Sequence, residues 1–277
     1  MRFSQSWTPR TWRRARRVLV GLAGAGLLFF AVGQVDLGAI LLGSGLLGLV
    51  LLESAQMRQS VLESYRQQHA LIQIRPLMGE LPLDLSGWAA DAILIHNAVR
   101  IIVEIRPRLI LECGSGKSTI ILGRCLRTLG HGTLISLDHD PTYAQRTREL
   151  LQLHGLEEIV TIVTAPLVPS RNGTTDYLWY GPEYEPLITR PIEVLLVDGP
   201  PGSSAPLARY PAVPLLQSRL APECWILLDD GDRLDERAIA HTWSTELGAK
   251  LQYLEGGRGG WLLHRSGNRG DGRFLPA

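Results

Sequence analysis

Two uncharged apolar runs stand near the start of the chain. Residues 18–35 read VLVGLAGAGLLFFAVGQV and residues 37–52 read LGAILLGSGLLGLVLL, with only Asp36 between them. At a rise of about 1.5 Å per residue they make helices about 27 and 24 Å long, close to the span of a hydrocarbon core. Neither run has a polar face, which argues against a buried soluble hairpin. The break at residues 33–38 predicts two membrane-spanning helices bent back on one another. They would pack through small residues, for example Gly21 and Ala25 or Ser44 and Gly48. A cleaved secretory signal is the competing reading, but a second run follows at once and no clear small-x-small cleavage site ends the first. From Glu53 to Ile74 polar residues alternate with a thin apolar stripe at helical spacing, as in a stalk helix.

Beyond Pro76 the pattern changes. Short continuous runs at 108–113 (RLILEC), 132–138 (GTLISLD), 159–165 (IVTIVTA), 192–198 (IEVLLVD) and 224–230 (CWILLDD) read as strands of a parallel sheet covered on both faces. Helical stretches at 118–129, 143–153, 208–220 and 235–247 separate or follow them. The alternation predicts an α/β doubly wound sheet. Two last runs, 251–255 and 260–264, are joined by Gly256-Gly257-Arg258-Gly259, a link too short for a parallel crossover, so they form an antiparallel hairpin. The chain is thus expected to hold a basic start (1–17), a transmembrane hairpin (18–52), a stalk (53–80), one α/β domain (81–265) and a tail (266–277).

Charge adds orientation. The chain of 277 residues carries 28 Lys+Arg against 27 Asp+Glu, a formal net charge of +1, which excludes a basic nucleic-acid coat. Arg10, Arg13, Arg14, Arg16 and Arg17 precede the first apolar run, and Arg58, Arg66 and Arg75 follow the second. By the positive-inside rule both ends face the cytoplasm, which places the protein in the inner membrane with its domain on the cytoplasmic side. A mean hydropathy of +0.06 hides this concentrated apolar block. Three widely spaced cysteines, without a CxxC pair, exclude a disulfide scaffold and fit a reducing compartment.

The chemistry gathers at Glu112-Cys113-Gly114-Ser115-Gly116-Lys117-Ser118-Thr119. A strand ends in an acid, a two-glycine loop follows, and Ser118 opens a helix whose N-terminus favours negative charge. A nucleoside triphosphate is one reading, but a P-loop needs a glycine where Leu111 stands. A dinucleotide is another, but the third glycine of its fingerprint is replaced by Thr119. Asp138, closing the second strand, suits ribose hydroxyls with either NAD or S-adenosylmethionine.

This segment resembles motif I of class I S-adenosylmethionine-dependent methyltransferases, in the bacterial variant E-x-G-S-G-x-S-T. The resemblance covers nearly all of residues 81–265. It takes in the segment opening Leu81-Pro82-Leu83-Asp84, then Leu137-Asp138-His139-Asp140, Ala165-Pro166-Leu167, Val197-Asp198-Gly199-Pro200-Pro201-Gly202 and Leu228-Asp229-Asp230. It implies a Rossmann-like methyltransferase sheet with S-adenosylmethionine as cofactor. In that scheme Gly114 and Gly116 pass beneath the methionine part and Glu112 lies near its ammonium. Ser118 belongs to the same loop, Asp138 accepts from both ribose hydroxyls, His139 touches the cofactor, and Thr164 and Ala165 flank adenine.

Asp198, Asp229 and Asp230 close the fourth and fifth strands, at the edge where doubly wound sheets bind ligands. Three convergent carboxylates are chemically able to hold a hard cation such as Mg²⁺, as in catechol-type O-methyltransferases, although those usually carry Asp-Asn where this chain has Asp229-Asp230. In the alternative without metal, Asp229 caps the next helix, Asp230 pairs with Arg233, and Asp198 is the general base. Tyr177, Trp179 and Tyr180 read either as a lid or as packing, and Asn172-Gly173-Thr174 reads first as a turn. The expected function is methyl transfer to a hydroxyl-bearing small molecule or a lipid- or glycan-linked acceptor at the membrane. A fold that only binds a partner is the rival from another class.

Overall fold

A computed structural model describes residues 9–78, 90–172 and 175–267. The chain divides into two compact units, Met1–Tyr65 and Arg66–Ala277.

In the first unit, helix α1 (Pro9–Ala31) is followed by a turn and by α2 (Val35–Met78), which continues into the second unit. Gly33, at φ +80°, takes the turn. A helix cannot pass through that conformation, so α1 stops at Ala31 and carries less of the first apolar run than expected. Bare backbone lets the two helices touch. A Cβ on Gly26 would lie 2.5 Å from the Leu42 amide nitrogen, and one on Gly45 would lie 2.7 Å from the Ala23 nitrogen. Gly38 meets the Gly26 carbonyl in the same way. The contact therefore runs through Gly26, Gly38 and Gly45 and also through Gly48, an expected packing residue where a Cβ would collide with the Leu19 side chain. Gly21, another expected one, has no neighbour within 4 Å of such a Cβ. Arg16 and Glu53 form an ion pair of 3.3 Å. Among the described residues α2 is the one helix long and apolar enough to cross a membrane, with a mean hydropathy of 2.2 over its best window. No helix end falls at residue 53: the expected stalk is the direct continuation of the apolar run.

The second unit is built on a seven-stranded sheet. Its strands are β1 (Leu109–Cys113), β2 (Thr133–Asp138), β3 (Val160–Thr164), β6 (Ile192–Val197), β7 (Leu220–Asp229), β8 (Lys250–Leu254) and β9 (Gly260–Arg265). The order is β3-β2-β1-β6-β7-β9-β8. The first five run parallel, and β9 is antiparallel to both β7 and β8. Every residue of β1 is buried, as its unbroken apolar reading requires. Side chains alternate between two cores. One face, with Leu109, Leu111, Val197 and Ile226, packs under α6 (Ala212–Leu216) and α7 (Leu234–Leu247). The other, with Ile110, Leu134 and Leu196, packs under α3 (Ala92–Ile105), α4 (Lys117–Leu129) and α5 (Pro141–His154), with Ile74 from the end of α2.

Three elements depart from the expectation. Residues 166–181 are not a loop: β4 (Leu167–Asn172) and β5 (Thr175–Tyr180) pair antiparallel as a separate ribbon, with Leu167 opposite Tyr180. The expected helix at 208–220 shrinks to the five residues of α6 and a 3₁₀ turn, Gln217–Arg219. Pro206 and Pro211 lack the amide hydrogens a longer helix would need. In consequence β7 starts at Leu220, before the expected 224. The segment 81–89, Gly173-Thr174 of the expected turn and tail residues 268–277 lie outside the described residues.

Candidate functional site

The site forms where the parallel strands end. Glu112 is the residue before the last of β1 and is fully buried. Its Oε1 accepts from the Ser118 hydroxyl at 2.6 Å, and its Oε2 accepts from Thr119 at 2.6 Å and Ser136 at 2.7 Å. The Gly116 amide in turn donates to the Thr119 hydroxyl at 2.9 Å. One carboxylate thus ties the loop to the start of α4 and to β2. Burial raises the Glu112 carboxyl above the ordinary range, and the three hydroxyls oppose that rise. The acid expected near a cofactor ammonium is engaged instead in holding the glycine loop.

That loop is shaped for close approach. Gly114 sits at φ +98°, and a Cβ there would come 3.2 Å from the Asp198 carbonyl carbon and the Gly199 nitrogen. The turns after β1 and β6 therefore lie against one another. Gly116 caps α4, and a Cβ on it would meet no protein atom within 4 Å. This bare, open backbone at a helix N-terminus is the surface a ligand can lie on. Leu111, where a P-loop would need glycine, is a buried strand residue.

Across the loop, at the end of β2, Asp138 is 5% exposed. Its Oδ2 accepts from the Ser115 hydroxyl at 2.5 Å and its Oδ1 from the Asp140 amide at 3.0 Å. These contacts fix the carboxylate beside the glycine loop, and each oxygen retains a lone pair. His139 is partly exposed, with Nδ1 3.8 Å from Asp138 Oδ1. Asp140 caps α5 by accepting from the amides of Thr142 and Tyr143. At the end of β3 the Thr164 hydroxyl accepts from Arg148 at 2.7 Å, and the buried Ala165 donates its amide to the Asp138 carbonyl at 2.8 Å. Glu112, Gly114, Gly116, Ser118, Asp138, Thr164 and Ala165 therefore converge on one sheet edge. Ser115, Thr119 and Ser136 were not singled out from the sequence. The first two stand inside the motif, where an acid followed by hydroxyls is the available signal.

The second half of the site holds Asp198 after β6, Asp229 at the end of β7 and Asp230 beyond it. One oxygen from each lies within 4.8 Å of the others. A buried arginine stands among them. Arg209, 3% exposed, donates from Nη2 to Asp198 Oδ1 at 3.2 Å and to Asp230 Oδ2 at 2.8 Å. Arg258, from the β8–β9 turn, donates to Asp229 Oδ2 at 2.9 Å and faces Asp230 Oδ1 at 3.2 Å. Arg233 reaches Asp230 Oδ2 at 2.9 Å, the pairing the sequence suggested. Asp229 does not cap α7, whose N-cap is Arg233. Burial raises the Asp198 carboxyl well above the ordinary range and the Asp229 carboxylate adds to it, while Arg209 opposes the rise. Burial raises Asp229 as well, against the pull of Arg258.

Guanidinium groups already face four of the six carboxylate oxygens and oppose a hard cation here, while Asp229 Oδ1 is buried without a hydrogen-bond partner. No motif pointed to Arg209 or Arg258, which come from a proline-rich loop and a glycine-rich turn. Tyr177 is half-buried and its ring lies 5.7 Å from that of Tyr210. Trp179 and Tyr180 belong to the buried core, as packing and not as a lid. A Cβ on Gly199 would lie 2.5 Å from the Tyr180 hydroxyl, so the β4–β5 ribbon supports the loop after Asp198. The thiols of Cys113, Cys125 and Cys224 are buried, and burial pushes the latter two up to about 11, which makes them poor nucleophiles.

Residues 111–231 match the family model described as a methyltransferase domain. The matched stretch runs from β1 to just past β7 and contains both halves of the site. No curated protein matches the sequence. Among solved structures, the Podospora anserina methyltransferase PaMTH1 is 16% identical, with a TM-score of 0.50, covering 77% of this chain and 96% of that one. A Staphylococcus aureus protein provisionally described as a caffeoyl-CoA O-methyltransferase is 11% identical, with a TM-score of 0.51, covering 76% and 100%. At these identities the likeness is one of fold.

Proposed function

We propose that this chain is a membrane-anchored S-adenosylmethionine-dependent O-methyltransferase working on the cytoplasmic side of the inner membrane. The observation that carries the reading is the pairing of a fixed Asp138 carboxylate with the open Gly116 backbone on adjoining strand ends, inside the matched methyltransferase domain. The Podospora methyltransferase of similar fold was solved with S-adenosylhomocysteine bound, which supports the same ligand here. Asp138 would accept from the cofactor's ribose hydroxyls, and Gly114 and Gly116 would pass beneath its methionine part. Thr164 and Ala165 would border the adenine, with His139 beside the ribose. Glu112 and Ser118 hold the loop in shape.

The acceptor approaches from the Asp198 side. Bound S-adenosylmethionine would supply an electrophilic methyl group to the acceptor's hydroxyl oxygen and would be released as S-adenosylhomocysteine. The hydroxyl proton passes to Asp198, whose raised affinity for a proton suits a general base. Asp229 and Asp230 hold the arginines that frame it. The acceptor class is a hydroxyl-bearing small molecule or a lipid- or glycan-linked precursor. The membrane part of the reading rests on the apolar α2, the glycine contact between α1 and α2, and the flanking arginines.

The test is Asp138→Ala. It removes two charge-assisted hydrogen bonds, each worth about 1.5–3 kcal/mol. S-adenosylmethionine affinity of the full chain in detergent should fall at least about tenfold with the circular dichroism unchanged. An unaltered dissociation constant would mean that the end of β2 does not meet the ribose.

A further inference from the structure

Asp198, Asp229 and Asp230 offer six side-chain oxygens, and four of them lie within 3.2 Å of a guanidinium nitrogen: Asp198 Oδ1 and Asp230 Oδ2 beside Arg209, Asp229 Oδ2 and Asp230 Oδ1 beside Arg258. Arg209 is locked in place. Its nitrogens also donate to the carbonyls of Asp198 and Asp229, both at 3.0 Å, and of Pro200 at 3.4 Å. Swinging it aside would strand three backbone acceptors in a buried place. A fourth acid, the buried Glu236, stands 3.9 Å from Arg209 and 3.6 Å from Arg233. Four acids thus face three guanidinium groups. Mg²⁺ demands oxygen ligands at about 2.0–2.1 Å in octahedral array, and fixed cations beside the same oxygens oppose it by charge and by position.

We propose that Arg209, with Arg258, is the resident cation of this acid cluster, holding Asp198, Asp229 and Asp230 together in place of a divalent metal. The site then binds no divalent ion, and an acceptor with two adjacent hydroxyls gains nothing from chelation. Arg209 is a positioning residue: it acts through Asp198 and Asp230 and does not touch the reacting atoms. Cation binding is read without any methyl donor, so its outcome and that of S-adenosylmethionine binding are separable.

The experiment is a titration of the full chain in detergent with Mn²⁺, followed by the electron paramagnetic resonance signal of the free ion and by the thermal midpoint. Wild type should leave the Mn²⁺ signal undiminished into the millimolar range, with no shift in midpoint. Arg209→Met removes the shared guanidinium and should bind Mn²⁺ at least tenfold more tightly than wild type, with a midpoint that rises as Mn²⁺ is added. Because Arg209 is buried and that variant is at risk of misfolding, Arg258→Gln is the second arm. Its guanidinium is partly exposed, and its loss frees Asp229 Oδ2 and Asp230 Oδ1, so it too should gain Mn²⁺ affinity. Stoichiometric Mn²⁺ binding by wild type, abolished by Asp230→Asn, would overturn the proposal. So would a folded arginine variant that gains no affinity.

Discussion

Glu112, Asp198 and Asp229 share a physical predicament: each is an acid taken out of water at a strand end. Burial raises all three carboxyls, so the folded chain holds their protons more tightly than the unfolded chain, where Asp and Glu titrate near 3.9 and 4.3. The sign follows from linkage. The stability these groups contribute is fully present below about pH 4 and is lost as the pH rises through their raised folded values. The thermal midpoint of Glu112→Gln should therefore lose less than that of wild type as the pH is raised, because one such group is removed. An identical pH dependence in the two proteins would show that Glu112 is held ionised. The sequence shows Glu112 as an acid before a glycine loop, which is also how a ligand contact would look. Only the fold reveals Ser136, 24 positions away on β2, as its third hydroxyl partner. Arg209 and Arg258 were invisible for the same reason, since no spacing rule connects them to Asp198 or Asp229.

The elements were legible wherever burial is two-sided. Continuous Val, Ile and Leu runs located β1, β2, β3, β6 and most of β7, and the four-residue glycine-rich link located the β8–β9 hairpin. The β4–β5 ribbon escaped because it stands apart from the main sheet and carries Pro169, Arg171 and Asp176, the last two in an ion pair of 2.7 Å. In α1 and α2 the small residues were visible as a class, but the register was not. Gly26, Gly38, Gly45 and Gly48 make the contact, and of these Gly48 was named from the sequence. With basic residues on both outer flanks, the two helices as a membrane hairpin require residue 36 outside and residue 60 inside. Single cysteines at Asp36→Cys and Ser60→Cys in a cysteine-free background decide this. An impermeant maleimide should label the first alone in intact cells. Labelling at position 60 would place the following domain away from cytoplasmic S-adenosylmethionine.

For the whole molecule, a parallel sheet brings together residues far apart in sequence because each strand delivers its last residue to the same edge. Gly114, Asp138, Thr164, Asp198 and Asp229 stand at or just past five consecutive strand ends, and that order is what the sequence carried most plainly. The glycine loop with Asp138 forms one half of this edge, and the acid cluster filled by Arg209 and Arg258 forms the other. The most direct measurement is calorimetric titration of the full chain in detergent with S-adenosylmethionine, S-adenosylhomocysteine and ATP with Mg²⁺ in parallel. The expected result is saturable binding of the first two at one site per chain and none of ATP. Tight ATP binding that Lys117→Ala abolishes, with no heat from S-adenosylmethionine, would contradict the methyltransferase reading.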